Sequence, residues 1–477
     1  MKPEEFRQHA HMLVDWMADY MAGVEQYPVR AQTAPGAIAE QLPGTAPESG
    51  EPFDLIFADF QRIVMPGMTH WQHPNFHAYF PANSSPPSVL GEMLTATLAA
   101  QCMLWQTSPA ATEMEVVVLG WLRQLLGLPE GWAGVIQDSA SSATLCAVLT
   151  ARERATGWRI NAEGPTAGPP VVFYASSNTH SSIDKAIRIA GVGIGHLRKL
   201  PVDDSGAMIP AALEAAIKAD LADGHIPAGV IACLGSTGTG AVDDLVAIGA
   251  ICQAFDLYLH VDAAWAGSAL LLEEQRWMIA GIEVADSFVV NPHKWMLTNF
   301  DCSAHYIRDP ELLVRTLSIL PAYLQSRETG SVIDFRDWGV PLGRRFRSLK
   351  LWFVLRSYGA QALREMIRGH IALAGELAGW IEAEPDFELV DGPRLALLNF
   401  RYAPAGVTDP DVLNPLNSQL VEHINESGRL YLTGSRIGAT QTIRFSIGQR
   451  TTTRRHVQEG WTTVVQIAHR LWSESGD

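Results

Sequence analysis

From about residue 171 onward, short apolar runs alternate with stretches whose apolar positions recur at helical spacing. Val171 to Ala175, Ala228 to Leu234, Leu257 to Val261, Ser287 to Val290 and Ser303 to Arg308 read as strands, and patterns such as Ile209 to Leu221 and Val246 to Phe255 read as the helices between them. Strands that are apolar at nearly every position are covered on both faces, and strand–helix alternation supplies crossover connections. The pattern therefore predicts an α/β fold with a mostly parallel sheet and helices on both sides. Upstream, the stretch from Gly134 to Ala143 reads as a short strand turning into a helix that continues to about Thr156. Beyond about residue 361 the text changes to long helical patterns with strand-like Ala396 to Phe400 and Thr442 to Ile447, which predicts a separate α+β lobe.

At the other end, Phe6, Leu13, Trp16, Met17, Tyr20 and Met21 form one stripe of an amphipathic helix, followed by a Pro/Gly-rich connector from Pro28 to Pro52. Such a stripe needs a partner, either elsewhere on its own chain or on a second subunit. Next come Trp71, Phe76, His77, Tyr79, Phe80 and Pro81 in an irregular setting, with Trp105 further on. These rings read either as core or as the lining of a flat apolar pocket.

Composition narrows the function. With 477 residues and 47% hydrophobic content the chain can bury a large core in two or three lobes. A net charge of −16 disfavours nucleic acid and anionic membranes as partners, and no apolar run is long enough to span a bilayer. Cys102, Cys146, Cys233, Cys252 and Cys302 are odd in number and far apart, which fits buried free thiols in a reducing cytoplasm rather than a zinc site or disulfide framework. The glycines of 191–195 and 238–240 lack the full spacing of a dinucleotide site.

The chemistry concentrates at two strand ends. Lys294, in Asn291-Pro292-His293-Lys294-Trp295, lies just past one apolar strand, and Asp262 ends another about thirty residues upstream. An amine able to form an imine and an acid able to keep a ring nitrogen protonated are what pyridoxal phosphate chemistry asks of a protein. The start of the helix within Gly134 to Ala143 is a natural anion site, where small residues expose backbone N–H groups and the hydroxyls of Ser139 and Ser141 add donors; a plain serine cap is the alternative. His180 reads as a helix cap or surface group, and Thr237 as a turn residue. The polar segment from Leu320 to Gly330 reads as a mobile lid whose single phenol, Tyr323, is a candidate proton donor. Arg344, Arg345, Arg347 and Lys350 read as solvated or internally paired cations.

The words His260-Val261-Asp262-Ala263-Ala264-Trp265-Ala266-Gly267, Asn291 to Trp295, and Pro341-Leu342-Gly343-Arg344-Arg345-Phe346-Arg347-Ser348-Leu349-Lys350 resemble the group II pyridoxal-phosphate-dependent decarboxylases, and among them the aromatic-L-amino-acid decarboxylases. The resemblance implies a fold-type-I (aspartate aminotransferase-like) enzyme with a seven-stranded large-domain sheet. Its expected parts are a dimer-wrapping segment 1–85, a cofactor domain 86–360 and a small domain 361–477. It implies that Lys294 carries the cofactor, Asp262 holds the pyridine nitrogen protonated, His180 stacks on the ring, and Thr237 and Ala264 lie beside it. Ala140, Ser141, Asn291 and His293 are then the phosphate ligands. Trp71, Tyr79, Phe80, Pro81, Met103, His180 and Gly343 surround the substrate, and Tyr323 protonates its carbon. The implied reaction converts an aromatic L-amino acid to its amine and carbon dioxide in a homodimer with the site at the subunit interface. Three rivals are an aldehyde synthase on the same scaffold, a glutamate-type decarboxylase and a non-catalytic cofactor-binding protein. The first is linked in the family to loss of the loop tyrosine or stacking histidine, both present here; the second needs cations where this chain has Trp71, Tyr79 and Phe80. Asp138 and Ser142 depart from the family's usual glycine and glutamate.

Overall fold

The computed structural model describes residues 1–166, 168–319 and 332–475. The chain divides into two compact units, one made of Ala82–Ala372 and the other of Met1–Pro81 with Leu373–Asp477.

The larger unit is built on seven strands: β1 Ala133–Gln137, β2 Val171–Ser176, β3 Leu197–Leu200, β4 Ile226–Cys233, β5 Tyr258–Asp262, β6 Ser287–Val290 and β7 Ser303–Ile307. Their order is β1-β7-β6-β5-β4-β2-β3, and only β7 runs against the others, pairing antiparallel with both β1 and β6. Every residue of β2, β5 and β6 is buried, as expected of strands covered on two faces. The helix Ala140–Ala155 packs across β4 to β7, and Ala147, Val148 and Ala151 join Phe173, Ile231 and Tyr258 in one core. Its N-terminus lies straight after β1, so the same helix that seals the sheet also offers its positive end where the strands finish.

In the other unit β8 Phe387–Arg394, β9 Leu397–Tyr402, β10 Thr433–Ile437 and β11 Thr440–Ser446 form an antiparallel sheet in the order β10-β11-β9-β8. Trp461, from the helix Arg454–Ser475, packs edge-on against Phe387 and Phe400 at 4.8 and 5.5 Å. The N-terminal helix spans Pro3–Gly23. Its stripe finds a partial partner on its own chain, where Trp16 meets Phe57 and Phe60 edge-on at 5.9 and 5.3 Å, yet no residue of the helix is buried.

Candidate functional site

Strands β5 and β6 lie side by side, with Asp262 opposite Val289, and the chain stays knitted past their ends. Ala263 donates its N–H to the Val289 carbonyl at 3.0 Å, and Asn291 donates to Ala264 at 3.0 Å. Proline at the first position of the short helix Pro292–Trp295 turns the chain at once, and the Lys294 N–H closes on the Asn291 carbonyl at 2.9 Å. The Asn83 amide donates to the Lys294 carbonyl at 2.8 Å. Lys294 itself is half-buried. Asp262 is 7% exposed, and one of its carboxylate oxygens accepts the Ala264 N–H at 3.1 Å. Below them Trp265 and Trp295 stack with ring centroids 5.2 Å apart, and the Trp295 indole N–H donates to His370 at 2.9 Å.

His180 caps the helix Ser181–Ile189, its Nδ1 accepting the Ser182 N–H at 3.1 Å. A neutral ring held this way carries its proton on Nε2. Its pKa is lowered, chiefly by desolvation; the Asp262 carboxylate opposes that shift and the Lys294 ammonium adds to it. These three side chains, far apart in the chain, thus share one electrostatic neighbourhood.

The residues expected to hold a phosphate are equally specific about protons. His293 is 4% exposed, its pKa pushed down to about 3 by burial and then by Lys294. Its Nδ1 accepts the Cys302 N–H at 2.9 Å, so Nε2 carries the hydrogen of the neutral ring. Asn291 accepts the Ser303 hydroxyl at 2.6 Å, which leaves its amide nitrogen as donor. At the start of the helix Ala140–Ala155, Ala140 is small and Ser141 is exposed. Of the two readings the sequence offered for Ser139, phosphate donor or plain cap, its hydroxyl takes the cap: it accepts the Ser142 N–H at 3.3 Å and lies 3.1 Å from Asp138 Oδ1. A carboxylate, an amine, two neutral donors and a helix N-terminus at the C-terminal edge of a parallel sheet fit pyridoxal phosphate, with its basic ring nitrogen, aldehyde and dianion.

Thr237 is exposed in the turn closed by the Leu234–Val242 bridge, and Ala264 is half-buried next to Asp262. Met103 is half-buried and Gly343 exposed; a Cβ at Gly343 would lie 3.1 Å from the Gln101 amide. Tyr323 and the rest of 320–331 lie outside the described residues. The basic run is internally paired: Arg344 with Glu115 at 2.7 Å, Arg347 with Asp301 at 2.9 Å, Lys350 with Glu92 at 3.0 Å, and Arg345 with Glu92.

The aromatic cluster belongs to the other unit and splits in two. Phe76 and Phe80 are buried, whereas Trp71 is 37% and Tyr79 49% exposed. Trp71 packs on Phe76 at 4.4 Å and stacks with Tyr79 at 5.8 Å, and the Tyr79 and Tyr431 hydroxyls are 3.3 Å apart. Pro81 is buried against Gly448, where a Cβ would come within 2.5 Å of its ring.

Sequence reasoning missed Asp243, which is 3% exposed and accepts the N–H groups of Cys233 and Met208 at 2.8 and 2.7 Å. It ties the end of β4 to the loop ahead of the helix Pro210–Ala222. Burial pushes its carboxyl up to about 6. An acid directly after the Gly/Thr turn that follows an apolar strand was the available signal.

Comparison with known proteins agrees with this geometry. The model of the pyridoxal-dependent decarboxylase conserved domain matches residues 35–403. Tyrosine decarboxylase 4 of Petroselinum crispum is 41% identical, over 100% of this chain and 95% of the relative. Phenylacetaldehyde synthase of Arabidopsis thaliana is also 41% identical, over 99% and 97%. The crystal structure of Oryza sativa TDC with PLP and tryptamine superimposes with a TM-score of 0.95 at 34% identity, covering 99% of both chains. With the lysine, the carboxylate and the donors for a phosphate in place at the sheet's C-terminal edge, the chain belongs to the pyridoxal-dependent decarboxylase family.

Proposed function

We propose that this protein decarboxylates an aromatic L-amino acid to the corresponding arylalkylamine. The observation that carries the proposal is the pairing of Lys294 and Asp262 at the ends of adjacent parallel strands, with His180 in electrostatic reach of both. Bound pyridoxal phosphate supplies an electron sink for the pair left when carbon dioxide departs. Lys294 anchors the cofactor through its amine. Asp262, nearly buried, favours a proton on the ring nitrogen because a close carboxylate stabilises the cation. Asn291, His293, Ser141 and the backbone at Ala140 hold the phosphate, and Thr237 and Ala264 border the ring. His180 keeps the ring flat. Trp71, Tyr79, Phe80 and Pro81, with Met103 and Gly343, receive the substrate's side chain, and Tyr323 returns a proton to its carbon. Relatives named as tyrosine and tryptophan decarboxylases support the aromatic substrate class.

We assign a homodimer as the working form, with 1–85 wrapping the partner. The exposed apolar side chains Leu90, Met93, Leu94 and Leu98 of the helix Pro86–Leu98, and Val116, Val117 and Trp121 of Pro109–Leu126, support a second copy as their cover. A monomeric mass in solution would remove this assignment. Five free, buried cysteines support a reducing compartment such as the cytoplasm.

The test is Lys294→Ala. The folded variant should lose the absorbance of lysine-bound cofactor, and turnover should fall by roughly three orders of magnitude or more. Retained absorbance and turnover would rule out Lys294. Product analysis of the parent enzyme separates the second reading, which the phenylacetaldehyde synthase relative favours: amine with carbon dioxide supports a decarboxylase, whereas aldehyde with ammonia and peroxide identifies an aldehyde synthase.

A further inference from the structure

Residues 75–81 have no regular secondary structure of their own, yet they are laid along the small unit's sheet. The His77 N–H donates to the Tyr431 carbonyl at 3.0 Å, Tyr431 donates to Asn75 at 3.3 Å, and Ser446 donates to His77 at 3.0 Å. The His77 ring stacks on Phe445 at 4.2 Å. At the end of this ribbon Tyr79 adopts φ 53°, a left-handed conformation that a residue with a Cβ holds only when its surroundings impose it. The chain bends over Ala78, Tyr79 and Phe80, and the proline that follows biases Phe80 toward extended backbone, so the left-handed step falls on Tyr79.

Arg444, on β11, is the side chain that meets this turn. It is 3% exposed; its guanidinium donates to the Tyr79 carbonyl and lies 4.2 Å above the Phe80 ring. One planar group thus grips the strained residue by its backbone and the next residue by its ring. What the grip leaves outside is the Tyr79 side chain, half exposed beside Trp71 and hydroxyl to hydroxyl with Tyr431.

We infer that Arg444 is a positioning residue for the aromatic patch formed by Trp71 and Tyr79, fixing the left-handed turn that presents the Tyr79 ring. This rests on the reading that the patch receives the substrate's aromatic side chain. Arg444 touches neither substrate nor cofactor in this scheme; it acts through Tyr79 and Phe80.

Arg444→Lys keeps a cation and a donor but loses the plane that covers Phe80. In the full-length, cofactor-loaded protein we expect KM for an aromatic amino acid to rise about fivefold to twentyfold, kcat to change less than about threefold, and the Kd for pyridoxal phosphate, from a fluorescence titration, to stay within about twofold. Tyr79→Ala and Trp71→Ala, measured alongside, should raise KM in the same direction. A purely structural arginine would lower the melting temperature and the active fraction while leaving KM unchanged. That result, with KM raised in the Tyr79 and Trp71 variants, overturns the positioning role and spares the patch. Unchanged KM in the Tyr79 and Trp71 variants overturns the patch reading, and the positioning role falls with it. Should the lysine variant not fold, Arg444→Gln, which retains an N–H donor for the Tyr79 carbonyl, is judged by the same KM criterion.

Discussion

Asp138 is a residue at which the sequence departs from the pattern its family resemblance implies. Its carboxylate sits directly before the cap of the helix proposed to bind the phosphate, 3.1 Å from the Ser139 hydroxyl. Two anions near one helix end repel, and at partly solvated separations that costs on the order of 1 kcal/mol. Asp138→Asn should therefore tighten pyridoxal phosphate binding about threefold to tenfold at low salt, with the gain shrinking as salt is added. A Kd that does not move would place the carboxylate outside the phosphate's field. At this scale the sequence was informative where chemistry is carried by a rare residue type in a fixed setting, as with Lys294 and Asp262. It offered a cap at Ser139 and at His180 as one of two readings each. Ser139 is committed to capping, and His180 is both a cap and a neighbour of Lys294, because those choices depend on backbone N–H groups that only the folded chain brings near.

Among elements, the legible ones were those buried on both faces. β2, β4, β5 and β6 announce themselves as apolar runs, and the helix Ala140–Ala155 follows from the turn after β1. The edge strands β3 and β10 did not. β3 reads Leu-Arg-Lys-Leu and β10 reads Thr-Gly-Ser-Arg-Ile, since an edge strand with one wet side needs little apolar sequence and gains from charge that blocks further pairing. The basic run from Arg344 takes the internally paired of its two sequence readings and acts as a clasp between elements. Arg344 is 9% exposed and donates both to Glu115, on the helix Pro109–Leu126, and to the Ile136 carbonyl of β1, while Glu115 also accepts the Ile136 N–H at 2.8 Å. Glu115→Ala strands a buried guanidinium and a buried N–H together. We expect a loss of about 3–5 kcal/mol in unfolding free energy, read as a lower denaturant midpoint. A midpoint unchanged from the parent would show that water replaces the carboxylate without cost.

For the whole molecule, several histidines are folded in as neutral groups. Burial lowers His73 to about 4, and His293 and His305 to about 3. An unfolded histidine takes its proton near 6.5, so each contributes stability that is complete above that pH and is lost as the pH falls toward the folded value, at about 1.4 kcal/mol per unit for each group. His305 isolates the effect: it is fully buried on β7, and among the described residues neither of its ring nitrogens has a hydrogen-bond partner. His305→Met should match the parent at pH 7.5 and lose stability more slowly between pH 6 and 4.5. Parallel pH curves for the two proteins would refute the assignment.

The stacked Trp265 and Trp295, both 1% exposed or less, lie one residue from Ala264 and Lys294 respectively. Excited indoles in rigid, dry surroundings emit strongly, and pyridoxal phosphate absorbs in the range where they emit. The chain therefore carries an optical gauge of its own occupancy: emission should drop as cofactor is added to the stripped protein and recover as it leaves. Trp295→Phe should remove a share of that response far larger than one part in the fourteen that an average tryptophan would account for.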